Sequence, residues 1–405
     1  MMISYKEAVD LLVGYAGSVG TGTLDLEECS GRILAEDIIA KESVPHFDRS
    51  PYDGYAFRAA DTLGASDHTP VTLKVIENIR AGQMAESPVE KGTAIRLMTG
   101  APLPEGADAI CKYEDTDFTD EYVSIKQSYR SGDNVIRAGE DIKTGDLLAG
   151  AGSKVDPGLS GVLASLGMLS VKVYKKPVAA IITTGDEVTD PAEPLLPAKI
   201  RNSNRYIIGS ALKMIGFETV YTGHASDSKE QISGLIKKAE EVSDIIISTG
   251  GVSVGDYDLV PDAMISCGYE ILADRVDMKP GMACAYGIKE GKMMLALSGN
   301  PASALTNLQC VCYPALKKMA GYAVYEHEIT DFIIDHEIKK TGGHTSRFVR
   351  GCSRIEDGKL CLKAAAAQGN VVISSAAGAD AYGILTGMKG PVGKGTVIPG
   401  FLIYR

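Results

Sequence analysis

Asp244-Ile-Ile-Ile-Ser-Thr-Gly-Gly-Val-Ser-Val-Gly-Asp-Tyr-Asp258 is a short apolar run that ends first in glycines and then in carboxylates. The apolar part predicts a buried parallel strand, and the glycines behind it let backbone N–H groups come close to an anion. In an α/β sheet that is where phosphate binds. Asp256 and Asp258 would repel a bare phosphate, so their presence calls for a divalent cation between them and the ligand. The stretch reads as a phosphate-and-metal turn at a strand end. A tight strand-to-helix turn with a capping aspartate is the plainer alternative for the same residues.

The surrounding sequence repeats the design. Val178–Ile182 predicts a strand running into Thr183-Thr-Gly-Asp-Glu187, again a hydroxyl, a glycine and two carboxylates. A helix over 203–215 follows, then a strand over 219–222, and Ser228-x-x-Gln231 caps a helix that leads into the opening strand. Beyond Gly255 come a short helix near 259–266, strands near 283–286 and 293–297, and the turn Ser298-Gly-Asn-Pro301. Asn300 is the cap and Pro301 the first residue of a helix to about Ala320. This alternation predicts βαβ units and a mostly parallel sheet over 177–327, with three glycine-bearing turns able to line one crevice. Neither turn fits a P-loop or a G-x-G-x-x-G helix start.

Outside this region the period changes. Ser4-x-x-Glu7 makes a capping box for a first helix, and Asp156-Pro157 starts a second, with Leu159, Val162, Leu163 and Leu166 at helical spacing. Short runs at 72–76, 93–97, 109–113 and 122–126 lie between Gly, Pro and Asp clusters and predict a small β insertion. After Glu328 short strands return, which predicts a small β barrel or sandwich. The expected organisation is a helical/extended domain over 1–44 and 142–176, an inserted β domain over 45–141, the α/β domain over 177–327, and a C-terminal β barrel over 328–405. The fold class is multidomain α/β plus β, its centre a three-layer α/β/α domain.

Composition limits the function. A chain of 405 residues exceeds one core, and a net charge of −11 gives no basic surface for a nucleic-acid backbone. Eight cysteines are scattered without a C-x-x-C pair or a zinc spacing, so they read as reduced core residues of a cytoplasmic protein. No run reaches the roughly 18 apolar residues of a membrane span. Three further stretches carry chemistry or turns. Lys279-Pro-Gly281 could aim an ammonium into the crevice. Phe47–Phe57, centred on Asp53-Gly54, and Arg137–Asp141 are turn-like and polar. Arg347 and Arg350 stand at odd spacing, so in a strand at most one of them faces a site.

Taken in order, Phe47-Asp-Arg-Ser-Pro-Tyr-Asp-Gly-Tyr-Ala56, Met98-Thr-Gly-Ala-Pro102, Gly139-Glu-Asp141, Thr184-Gly-Asp-Glu187, Thr249-Gly-Gly-Val-Ser-Val-Gly255, Lys279-Pro-Gly281 and Gly299-Asn-Pro301 resemble the molybdopterin molybdotransferase family, called MoeA in bacteria and the E domain in gephyrin-type proteins. The resemblance is colinear over the whole chain. It implies insertion of molybdate into the dithiolene of adenylylated molybdopterin, with Mg²⁺-dependent cleavage of the pyrophosphate and release of AMP. It implies a homodimer with a shared cleft, supplied with substrate by a molybdopterin adenylyltransferase.

By the same resemblance Asp53, Thr99, Asp141, Glu187 and Asp227 are the catalytic polar residues. Gly250, Gly251, Ser253, Lys279, Pro301, Arg350 and Asn370 bind substrate, Lys279 and Arg350 as the cations. Glu187 and Asp258 hold the metal, with Asp186 and Asp256 as rivals. Met282, Ser298 and Asn370 depart from the family pattern around the anion site. Two alternatives remain for the activity: molybdopterin adenylylation, the preceding step, and a non-catalytic scaffold of the same fold.

Overall fold

The computed structural model describes residues 2–253, 258–339, 343–388 and 390–404. The chain divides into two compact units. One comprises Met1–Glu36, Ala151–Asp156 and Ser170–Arg405, the other Asp37–Gly150 and Pro157–Leu169.

The first unit is built on strands β1 (Val178–Thr184), β2 (Glu218–Ala225), β3 (Ile245–Thr249), β4 (Glu270–Lys279), β5 (Ala283–Lys289) and β6 (Lys292–Leu297). They lie in the order β2-β1-β3-β6-β5-β4. The β2, β1, β3 and β6 ladders are parallel, whereas β5 is antiparallel to both of its neighbours. Two reversals leave β4 running in the same sense as the parallel four. The carboxyl ends of β1, β2, β3, β6 and β4 therefore share one edge.

Strict alternation sends the branched side chains to two faces. Ala179, Ile181, Ile245 and Ile247 pack with helices α1 (Tyr5–Tyr15), α2 (Asn204–Met214), α5 (Pro301–Asn307) and α6 (Tyr313–Met319). Ala180, Ile182 and Ile246 pack with α3 (Lys229–Val242) and α4 (Val260–Ser266). Every residue of β3 is buried, as a strand covered on both faces must be. Between α5 and α6, Leu308–Cys312 forms one π turn and the rod continues. The Ser4–Glu7 capping box is present at α1 and Ser228 caps α3, as the sequence predicts. Asn300 occupies the cap position of α5, but its side chain makes no cap bond.

Strand β4 is absent from the sequence reading, which put only a turn at its end. Asp274, Arg275 and Asp277 break its apolar alternation, and the ladder to β5 is bulged twice. Beyond it, β7 (Thr330–Ile334), β8 (Ser346–Glu356), β9 (Lys359–Ala364), β10 (Ala381–Leu385) and β11 (Val397–Leu402) pair in the cycle β8-β9-β7-β11-β10-β8. Closing the ring removes the free edges of these short strands. Met278 and Lys279 of β4 pair with Ser346 and Arg347 of β8, joining sheet to barrel.

His327 lies where barrel and helices meet, stacked on Phe401 at 3.8 Å, with Nε2 donating to the Cys310 carbonyl at 3.2 Å. Burial, reinforced by the nearby Lys317 charge, depresses its pKa to about 4. The folded state thus binds fewer protons here than the unfolded chain, so the stabilisation is complete above pH ~6.5 and is lost as pH falls towards 4. Over that window the native state loses about 3 kcal/mol through this group. Urea unfolding at several pH values should show the slope in the wild type and a markedly shallower one between about pH 6.5 and 5 in His327→Phe.

The second unit, taken by itself, carries a six-stranded sheet. Its order is Ala109–Lys112, Gly54–Phe57, Thr93–Leu97, Val71–Ile79, Tyr122–Ile125 and Thr116–Phe118. Gly54–Phe57, which the sequence reads as a turn, is a fully buried inner strand. The short helix Pro157–Ser165 begins at its proline, as expected. Among the described residues, seven of the eight free cysteines are buried and Cys352 is exposed, and no helix is long and apolar enough to cross a membrane.

Candidate active site

A cavity of about 980 Å³ opens at the shared carboxyl edge of the first unit. It is lined from β1 by Glu187, from β2 by Asp227, from β3 by Gly250, Gly251 and Ser253, and from the start of α4 by Asp258. Lys279, Pro301 and Asn370 line it from the other side. Nine of the expected residues are thereby gathered in one place. Open α/β sheets bind ligands at this edge. Asp256 lies outside the described residues.

The β3 turn is shaped by close backbone approach. Gly250 has φ 99°, and a Cβ there would stand 2.6 Å from the Thr184 carbonyl oxygen, which only glycine permits. The expectation that its N–H faces an anion needs correcting, because it donates to the Leu297 carbonyl at 3.0 Å and ties β3 to β6. Among the described residues the Gly251 N–H has no intramolecular acceptor. Thr249 Oγ1 is buried at the cavity wall without a hydrogen-bond partner.

The β1 turn separates two carboxylates. Gly185 has φ 127°, and Glu187 folds back so closely that a Cβ on Gly185 would meet its carboxylate at 2.6 Å. Glu187 remains exposed to the cavity. Asp186, a rival metal ligand in the sequence reading, does not line it. Asp186 Oδ1 accepts from the Asp227 N–H at 3.1 Å, and Asp227 Oδ2 accepts from the Asp186 N–H at 3.4 Å. This reciprocal latch ties the two loops together.

Lys279 is exposed at the end of β4, ahead of a cis peptide to Pro280. Buried Asn307 holds the turn by donating to the Gly281 carbonyl at 2.8 Å, and Tyr286 donates to Asn307 Oδ1 at 2.7 Å. The second expected cation is misplaced in the sequence reading. Arg350 is 1% exposed and does not line the cavity; its guanidinium donates to the Ala302 carbonyl, Thr306 Oγ1 and Ser375 Oγ at 2.7–3.2 Å. Arg347, three residues earlier on the opposite face of β8, lines the cavity instead, as does Arg275 of β4. The odd spacing announced that only one arginine could do so, but not which. Burial lowers the Arg347 pKa.

Glu187, Asp227 and Asp258 bring hard oxygen donors to the cavity from the ends of β1, β2 and β3, with Arg201 beside them, while Arg275 and Lys279 of β4 and Arg347 of β8 bring positive charge. Among the described residues no group of three or more His, Cys, Asp or Glu side chains is arranged as a metal cage. Mg²⁺ does not require one, since it commonly binds through one or two carboxylates plus substrate phosphate and water. The donor set fits that ion.

Asp53, Thr99 and Asp141 belong to the second unit. Asp53 Oδ1 accepts from the Thr99 N–H at 2.7 Å and from its hydroxyl at 2.8 Å, and these bonds, backbone first, hold the exposed carboxyl below its ordinary pKa. Asp141 is exposed on a loop whose N–H groups bond the Pro45 and Val44 carbonyls.

Comparison with known proteins matches residues 3–167 to the MoeA N-terminal region (domain I and II) and residues 180–318 to a probable molybdopterin binding domain. The molybdopterin molybdenumtransferase of Staphylococcus epidermidis is 36% identical over 348 residues, covering 86% of this chain and 83% of its own. That of Bacillus subtilis is 36% identical over 389 residues, covering 95% and 90%. The crystal structure of a molybdopterin biosynthesis MoeA protein from Pyrococcus horikoshii OT3 superposes with a TM-score of 0.85 at 28% identity, covering 99% of this chain and 100% of that one. With its sheet-edge cavity, its matched regions and these relatives, the chain belongs to the molybdopterin molybdenumtransferase family, a family of transferases of molybdenum cofactor biosynthesis.

Proposed function

We propose that this cavity takes adenylylated molybdopterin and molybdate as substrates, with Mg²⁺-dependent cleavage of the pyrophosphate and release of AMP. The observation that carries the reading is one cavity lined by carboxylates from the ends of β1, β2 and β3 and by cations from β4 and β8. A pyrophosphate with its metal suits the first, and a free oxyanion suits the second. The Gly251 N–H and Ser253 bind phosphate, Glu187 and Asp258 would hold Mg²⁺, and Lys279 attracts molybdate. The chemistry that Mg²⁺ supplies when bound is relief of negative charge on the pyrophosphate oxygens. The buried Asn307–Gly281 bond keeps the Lys279 turn in place through the reaction, and no covalent intermediate on the protein is invoked.

The test is incubation of the purified protein with adenylylated molybdopterin, Mg²⁺ and molybdate. AMP release that depends on all three is expected. Its absence with substrate bound would favour a scaffold, and formation of adenylylated molybdopterin from molybdopterin and ATP would favour the preceding step.

The reading extends to a homodimer in which Asp53, Thr99 and Asp141 of one copy complete the cleft of the other. A two-fold dimer of that kind predicts complementation. Asp53→Asn and Glu187→Gln, each inactive alone, should recover about a quarter of wild-type AMP release after mixing and reassembly, because half the dimers are mixed and each then keeps one intact cleft. Recovery of nothing would remove the shared cleft. Supply of substrate by an adenylyltransferase upstream is part of the same proposal.

A further inference from the structure

Strands β4 and β8 pair in parallel over two residues, and the register sets Lys279 beside Arg347. Side-by-side residues in such a pair project to one face, so the two cationic side chains are neighbours at the cavity wall. Arg275, four residues before Lys279 on β4, lines the same cavity. Like charges placed laterally on a sheet repel. Among the described residues none of the three forms an ion pair within 4 Å, and Asp277 between Arg275 and Lys279 does not line the cavity.

Arg347 is also the half-buried member, and its Nε is buried with no hydrogen-bond partner. Its neighbour in sequence, Phe348, is fully buried between Tyr5 and Tyr382, which anchors the strand at this point. A desolvated guanidinium with an idle donor, set beside an ammonium, lacks one thing that a tetrahedral oxyanion supplies. Its planar fork can bond two oxygens while Lys279 meets a third.

We propose that Arg347, rather than Arg350, is the guanidinium that grips a tetrahedral oxyanion in this cavity, acting as a clamp with Lys279. The proposal deepens the functional reading above and rests on it for the identity of the oxyanion, which is either molybdate or a phosphate of the pterin substrate.

The experiment measures binding directly, by calorimetry on the full chain with molybdate alone and with inorganic phosphate alone, for wild type, Arg347→Gln and Arg347→Lys. Thermal unfolding of each variant accompanies it. Loss of a charge-assisted bond predicts a Kd raised about 10- to 100-fold in Arg347→Gln, with Arg347→Lys intermediate because it keeps the charge and loses the fork. Weakening confined to the molybdate arm assigns the clamp to the metal oxyanion, and weakening confined to phosphate assigns it to the substrate. Unchanged affinity for both in folded Arg347→Gln overturns the proposal. Because binding is read without turnover, a failure of AMP release in the wild type would count against the functional reading and leave this result standing.

Discussion

Glu187→Gln is expected to lower Mg²⁺-dependent AMP release by on the order of 10²-fold or more, with the fold intact. The substitution preserves shape and removes only the negative charge. Of the two β1-turn carboxylates Glu187 lines the cavity and Asp186, whose Oδ1 accepts from the Asp227 N–H, does not. An amide cannot offset the charge of a divalent cation, so metal affinity falls along with rate. Raising the Mg²⁺ concentration should restore part of the loss in Glu187→Gln and none in Asp186→Asn, whose defect would appear in loop stability. Near-normal turnover in Glu187→Gln would remove Glu187 from the metal site.

Arg350→Ala is expected to destabilise the first unit by about 3 kcal/mol or more. The guanidinium is enclosed and bonds a carbonyl at the start of α5, a hydroxyl within α5 and a hydroxyl of the 373–376 turn. Truncation removes four charge-assisted bonds at once and opens a cavity of guanidinium size, although Thr306 Oγ1 still donates to the Ala302 carbonyl and Ser375 Oγ to the Val372 carbonyl. Arg350→Lys should recover only part, since an ammonium cannot serve the same fork. Urea unfolding reads the loss, and calorimetry at low temperature should find oxyanion affinity retained in the folded fraction. A folded, fully stable Arg350→Ala that has lost the oxyanion would return Arg350 to the binding role and take it from Arg347.

Much of this was legible before any coordinates. The Ile245–Ile247 run ended by glycines announced a covered parallel strand, and three glycine-bearing turns announced a common crevice. Local signals misled where a longer-range constraint prevailed. Asp53-Gly54 has the composition of a turn, yet Gly54 starts a strand because two neighbours, Thr93–Leu97 and Ala109–Lys112, pair on either side. Asp274, Arg275 and Asp277 disguised β4, whose place depends on pairing with β5 and β8.

The choice between Arg347 and Arg350 is of the same kind. Their spacing is local, but which one meets the cavity is decided by ring closure, where Arg350 pairs with Tyr382 of β10. Likewise the Gly250 N–H is claimed by a carbonyl of β6, a partner 47 positions away that no motif records.

The two-residue pairing of β4 with β8 gives the cations beside it a mechanical character. Sheet and barrel pair directly over only two residues, and Lys279 and Arg347 face each other across that seam, while buried Arg350 and the shared core around Phe348 and Tyr382 hold the barrel to the helices behind it. An oxyanion bound by both, as proposed above, would bridge the seam as well as react beside it.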